Sequence, residues 1–186
     1  MRIVAGRLRG RPVHAPEGMD VRPTSEHVRE SVFNILAHAG FAGEQRLRGA
    51  RVLDAFAGTG AMGLEALSRG AAQAEFMELD PAVRRQLEQN VRALGELENA
   101  RVRGVDATKP PRATAPCDLI LLDPPYKSDL GAPALAALTA AGWAAAGTLA
   151  VVELDRKAPF EAPEGWTVED DRRWGRTRAV FLKFGN

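Results

Sequence analysis

The 186-residue sequence contains one cysteine, Cys117, which excludes an intrachain disulfide framework and suits a small buried residue before an apolar strand. It has no apolar run long enough to span a membrane. Met1-Arg2-Ile3-Val4-Ala5-Gly6 lacks the apolar stretch of a signal peptide, so a cytoplasmic protein with no membrane partner is expected. There is no internal repeat and no low-complexity segment. The three histidines, His14, His27 and His38, show no ligand-like spacing, and no metal is expected. A net charge of +1 excludes nucleic-acid binding by bulk charge alone.

The distribution of charge is more informative than its sum. Residues 1–16 carry Arg2, Arg7, Arg9 and Arg11 without an acidic residue, and Arg172, Arg173, Arg176 and Arg178 surround Trp174. Arginine forms forked contacts with phosphate and stacks on bases. Genome base composition also enriches arginine, so the clusters carry more weight than the abundance. A hydrophobic content of 45% and a charged content of 26% fit a soluble globular chain whose length suits one full core with a small appendage.

Residues 2–14 alternate apolar and basic pieces around Gly6 and Gly10, as a small hairpin or arm would. Pro23-Thr24 then opens a helix, with Thr24 or Ser25 as N-cap and Val28, Val32, Ile35, Leu36 and Ala39 on the apolar face. A charged linker, Glu44 to Gly49, leads into a repeating pattern. Strands are expected at Arg51–Ala55, Ala74–Glu78, Arg101–Val105, Asp118–Leu122 and Thr148–Glu153. Helices are expected at Ala61–Arg69, Pro81–Leu94 and Ala132–Ala145, with Asp80 capping the second. This alternation predicts a mostly parallel sheet covered by helices on both faces. Trp166–Arg173 and Thr177–Phe184, separated by Trp174-Gly175, predict an antiparallel hairpin at the sheet edge. The expected division is an extension over 1–48 and a main domain over 49–186.

Two motifs carry chemistry. Gly58-Thr59-Gly60-Ala61-Met62-Gly63 matches G-x-G-x-x-G, and Glu78 lies where a dinucleotide site places its ribose-binding acid. That pattern alone admits a nicotinamide or flavin enzyme. Asp54 tilts the choice, because a carboxylate beside the loop is awkward near a pyrophosphate. It suits the ammonium and cationic sulfur of S-adenosylmethionine. Asp106, after the third strand, can accept from an adenine amino group, with the Ala107 N–H reaching the ring. The second motif, Asp123-Pro124-Pro125-Tyr126, follows the apolar strand Leu119-Ile120-Leu121-Leu122. Proline fixes φ, removes a donor and pushes the preceding residue into extended backbone. The turn thus offers a carboxylate, a bare carbonyl and an aromatic face to a planar base with an exocyclic amine. Both motifs fall at C-terminal ends of expected parallel strands, where open α/β sheets bind ligands.

Asp54-Ala55-Phe56-Ala57-Gly58-Thr59-Gly60, Glu78 and Asp123-Pro124-Pro125-Tyr126 resemble motifs of class I S-adenosylmethionine-dependent amino-methyltransferases. Arg2-Ile3-Val4-Ala5-Gly6, Arg9-Gly10-Arg11, Arg22-Pro23-Thr24, Arg29-Glu30, Phe33-Asn34-Ile35-Leu36, the stretch Gly63–Gly70 and Gly175-x-Thr177 extend the likeness over nearly the whole chain. They resemble the bacterial 16S rRNA guanine-N2 methyltransferase family. Trp174 departs from the tyrosine usual there.

The resemblance implies a Rossmann-like fold with a seven-stranded, mostly parallel sheet. The implied reaction is methylation of guanine N2 in small-subunit rRNA by a monomer, acting on assembled or assembling 30S subunits. Asp123, Pro124 and Tyr126 would be catalytic. Asp54, Phe56, Gly58, Gly60, Glu78, Leu79, Asp106 and Ala107 would bind the cofactor. Arg2, Arg7, Arg9, Arg11, Arg22 and Arg29 are expected to contact RNA phosphates. A DNA adenine-N6 methyltransferase, a nicotinamide-dependent oxidoreductase and a non-catalytic RNA-assembly factor are the alternatives.

Overall fold

A computed structural model describes residues 1–16, 26–42, 47–125 and 128–185. The expected N-cap at Thr24 or Ser25 lies outside these residues, as do Arg22 and Tyr126. Five parallel strands run β1 (Arg51–Ala55), β2 (Gln73–Met77), β3 (Ala100–Arg103), β4 (Leu119–Leu122) and β5 (Leu149–Asp155). An antiparallel pair, β6 (Trp166–Trp174) and β7 (Thr177–Phe184), completes the sheet. The strand order is β3-β2-β1-β4-β5-β7-β6. The chain builds outward from β1 in one direction, then crosses back to place β4 on its other side. Ligands of open α/β sheets bind at such a reversal.

Strand periodicity assigns side chains to the two faces. Leu119 and Leu121 enter one core with Val52, Leu149 and Val151, whereas Ile120 and Leu122 enter the other with Leu53, Ala150 and Val152. A strand buried on both faces reads as continuous apolar sequence, which is why Leu119-Ile120-Leu121-Leu122 was legible. Helix α3 (Pro81–Leu94) is also explained locally. Asp80 Oδ1 accepts from the N–H groups of Ala82 (2.7 Å) and Val83 (3.0 Å), Pro81 starts the helix, and Gly95 ends it with φ +78°. Cys117 is buried, which pushes its thiol up to about 11 and keeps it protonated near neutral pH.

Helix α4 departs from expectation. It spans Gly131–Ala140 rather than continuing to Ala145. Gly142 turns left-handed (φ +83°), and the buried Trp143 donates its backbone N–H to Leu138 O and its ring N–H to Pro111 O. The tryptophan anchor ends the helix although the following alanines favour it.

The described part of the N-terminal extension shares the core of one sheet face. Ile3, Leu8, Val13 and, from α1 (Glu26–His38), Val28, Val32, Phe33 and Leu36 pack with residues of β1 and α2 (Ala61–Ser68). Residues 1–13 form an arm with one β-bridge, Arg2 to Pro12. Its anchor is Glu65, fully buried on α2. This carboxylate accepts from the N–H groups of Val4 (2.8 Å) and Ala5 (3.0 Å) and from Arg69 Nε (2.8 Å), and pairs with Arg29 at 3.5 Å. Ser68 completes the seam, its Oγ donating to Ala5 O and accepting from Leu8 N.

The seam forces the arm against the helix at Gly6, whose φ is +80° and where a Cβ would stand 1.9 Å from Ser68 O. Gly10 has a similar φ of +82° but open space around it. Gly6→Ala should therefore lose about 2–4 kcal/mol of stability, from left-handed strain plus a backbone clash. Gly10→Ala should lose only about 1 kcal/mol. Denaturant unfolding of the two variants checks this; equal losses would contradict the seam.

Candidate active site

Sheet topology brings Asp54, Glu78, Asp106 and Asp123 to one rim, at the C-terminal ends of β1, β2, β3 and β4. Strand alternation places Asp54 and Asp123 on the same face. They line a small cleft with Met62, Leu121, Leu122, Val151 and Glu153. Just beyond Asp54, Phe56 has φ +62°, the one positive value at a non-glycine among the described residues. Strained backbone of this kind clusters at functional sites.

The glycine loop is held from two sides. Glu78 Oε2 accepts from Gly58 N–H at 2.9 Å, while its Oε1 accepts from Asp80 N–H at 2.8 Å. Glu78 therefore ties the loop to the turn before α3. A carboxylate has about four acceptor sites, so two backbone bonds leave capacity for ribose hydroxyls. At Gly63 a Cβ would lie 2.3 Å from the Phe76 ring. Glycine there lets α2 approach β2, and its N–H donates to Asp54 Oδ2 at 2.8 Å.

Asp54 is only 2% exposed, deeper than expected of a carboxylate meeting a solvent-facing ammonium. Burial holds its pKa well above the ordinary carboxylate range. The Gly63 N–H opposes that shift, and Asp123 and Glu78 add to it by repulsion. The acidic lining of the cleft, Asp54, Asp123 and Glu153, favours a cationic ligand. Asp106 accepts from Thr108 N–H (2.8 Å) and Thr108 Oγ1 (2.7 Å); these bonds hold its pKa low and cap the turn beside the buried Ala107. Leu79 is 62% exposed at the end of β2.

Known proteins share this sequence and fold. Residues 1–183 match the family described as Conserved hypothetical protein 95. Ribosomal RNA small subunit methyltransferase D of Haemophilus influenzae is 34% identical over 179 residues, covering 94% of this chain and 89% of that protein. The chain belongs to this methyltransferase family. The solved structure of yhhF from Escherichia coli, described as a candidate methyltransferase, superimposes with a TM-score of 0.84 at 34% identity and covers 100% of this chain and 98% of that one. An RNA methyltransferase from Salinibacter ruber, solved with S-adenosyl-L-homocysteine, shares the fold at a TM-score of 0.65 and 14% identity, covering 88% of this chain and 94% of that one.

Other family members thus share a fold in which this chain's expected cofactor residues meet at one rim. Of the arginines expected to contact RNA, Arg7 and Arg11 lie away from that rim. Arg29 is a correction: it is fully buried, donates to Arg2 O and pairs with Glu65, so it has no surface for a phosphate. Arg7 pairs with Glu96 at 2.5 Å, Arg11 donates to Ala93 O at 2.7 Å, and Arg2 lies 3.9 Å from Glu26. Arg9 is exposed. Glu96, Ala93 and Ser68 follow or end α3 and α2, so the arm's tip lies at the sheet edge opposite Asp123.

A further residue of the site carries no local motif. Asn90, 1% exposed on α3, donates to Thr59 O (3.0 Å) and His14 O (2.9 Å) and accepts from His14 N–H (3.1 Å). It ties the glycine loop to the end of the arm. Its position three residues after Leu87, on the apolar stripe, was the available signal.

The buried Asp54 predicts a pH dependence. Its native pKa lies above the unfolded value of about 3.9, so the folded protein binds this proton more tightly than the unfolded chain does. Burial therefore costs least below that value, and the Asp54 contribution is lost as pH rises through the native pKa. Asp54→Asn keeps an acceptor for Gly63 but cannot ionise. It should gain stability relative to the wild type as pH rises from 4 to 8 in denaturant titrations; a constant difference would contradict a raised Asp54 pKa.

Proposed function

We propose that this chain transfers a methyl group from S-adenosylmethionine to the exocyclic N2 of one guanine in small-subunit rRNA, in assembled or assembling subunits, acting as a cytoplasmic monomer. The observation that carries this reading is the Asp123-Pro124-Pro125 turn one strand away from the glycine loop, on the face that also holds Asp54. The rRNA substrate is taken from the family, and the choice of guanine N2 from the motif resemblance. Among the described residues no helix is long and apolar enough to cross a membrane.

The residues present fit the methyl donor. Gly58 has open space where a side chain would stand, so a ligand can approach its backbone. Glu78 would take the ribose hydroxyls and Asp106 the adenine amino group, with Phe56, Leu79 and Ala107 flanking them. Asp54 and its acidic neighbours favour positive charge. When bound, S-adenosylmethionine supplies an electrophilic methyl group on a cationic sulfur.

The chain's own residues do the rest. The guanine amine is a weak nucleophile because its lone pair is delocalised into the ring. Asp123 and the Pro124 carbonyl accept its two hydrogens, which draws the nitrogen toward tetrahedral geometry and frees the lone pair. Tyr126, outside the described residues, stacks on the base in this scheme. Most of the acceleration comes from holding the nitrogen in line with the methyl group. The amine becomes acidic as the N–C bond forms, and Asp123 takes the proton directly or through water. The base must be unpaired or flipped from its stack to reach the turn.

Asp123→Ala should reduce methyl transfer to small subunits by about 100-fold or more, while S-adenosylmethionine binding stays close to wild type by calorimetry. Labelled methyl transfer measured on small subunits and on duplex DNA checks the reaction and the substrate together. Undiminished transfer by the variant would remove Asp123 from its role, and transfer by the wild type to DNA alone would replace the substrate.

A further inference from the structure

The β6–β7 hairpin turn carries the second arginine cluster, which the reaction just described does not use. Its position follows from pairing. Thr177 pairs with Asp155 at the end of β5, and Trp174 pairs with Thr177. The turn Trp174-Gly175-Arg176 therefore projects from the same rim as Asp123. In the strand order, β4 separates two halves of that rim. Asp54, Glu78 and Asp106 occupy the half built by β1, β2 and β3, and the hairpin turn occupies the other. Two strand spacings separate β4 from β7, roughly 10 Å.

This turn is braced against the one after β5. Arg156 donates its backbone N–H to Arg176 O at 2.7 Å and its guanidinium to Gly175 O at 3.0 Å. Arg178 donates to Ala158 O at 2.7 Å. Lys157 N–H donates to Asp155 Oδ1 at 3.1 Å. The cations divide into two groups. Arg172 pairs with Asp170, and Arg173 and Arg178 pair with Asp171. Arg156, Lys157 and Arg176 stand exposed on the two joined turns. Trp174 is half-buried against the core and supports the turn from beneath.

We infer that Arg156, Lys157 and Arg176 form a rigid phosphate-gripping platform for the RNA strand that carries the target base. The inference rests on the rRNA methyltransferase reading above and locates its substrate surface. It displaces the arm from that task, because Arg7 and Arg11 lie at the far sheet edge. Helix α2 alone, of eight residues, separates that edge from the glycine loop by about 12 Å. A base held at Asp123 brings its flanking phosphates to the hairpin half of the rim, where the platform meets them.

The test measures methylation of small ribosomal subunits from cells lacking this protein, with labelled S-adenosylmethionine, across a salt series. Variants are Lys157→Ala with Arg176→Ala, the charge reversal Arg176→Glu, and Arg7→Ala with Arg9→Ala on the arm. The platform variants should raise KM for subunits by about 10-fold or more, with kcat changed much less, and flatten the salt dependence by roughly one unit of log–log slope. Their melting temperature and calorimetric affinity for S-adenosylmethionine should match wild type, and the arm variant should change KM less. Unchanged KM and slope in both platform variants, or a larger loss from the arm variant, would overturn the platform while leaving the methyltransferase reading intact. Failure of the wild type to methylate any rRNA would overturn both.

Discussion

The hydrogen bond from Gly63 N–H to Asp54 sits where the sheet reverses direction, and the site depends on it. It joins the end of β1 to the first turn of α2, so it holds the strand, the glycine loop and the helix in one register. Its acceptor is a buried carboxylate with Asp123 and Glu78 nearby. An amide or hydroxyl could accept the same bond without the burial cost of a charge. Retaining a carboxylate makes sense if the cleft must stabilise positive charge.

From that point the rim divides. Backbone and acidic groups on the β1–β3 side suit a cationic nucleoside, and exposed cations on the β6–β7 side suit a polyanion. Asp123, at the end of β4, stands between them. In the proposed scheme, opposite charge on the two halves would separate methyl donor from RNA without a further domain. The arm has a different place. Through Glu65 and Ser68 it clasps the end of α2, and through Asn90 its far end meets the glycine loop at Thr59. It braces the glycine loop through Asn90.

Much of this was legible because local chemistry announces itself. The continuous apolar run of β4 ending in Asp-Pro-Pro, the Asp80-Pro81 start of α3, and Glu78 placed after the glycine loop are short-range signals with physical causes. Other features depend on partners distant in sequence. Arg29 lies on the face of α1 that buries Phe33, and its partner Glu65 lies 36 positions on. Glu96, which pairs with Arg7 of the arm, is 89 residues away. The early end of α4 required Trp143 to find Pro111, a contact no helix propensity encodes. The order of strands at the reversal was likewise beyond local reading, since adjacency of β1 and β4 is a property of the whole chain.

The central claim is methylation of one guanine N2 in small-subunit rRNA at the Asp123 turn. Its most direct test is mass-spectrometric mapping of modified nucleosides in rRNA from cells lacking the protein, complemented with wild type or Asp123→Ala. The expected result is loss of a single N2-methylguanosine from small-subunit rRNA, restored by the wild type and not by the variant. An unchanged small-subunit modification map would contradict it.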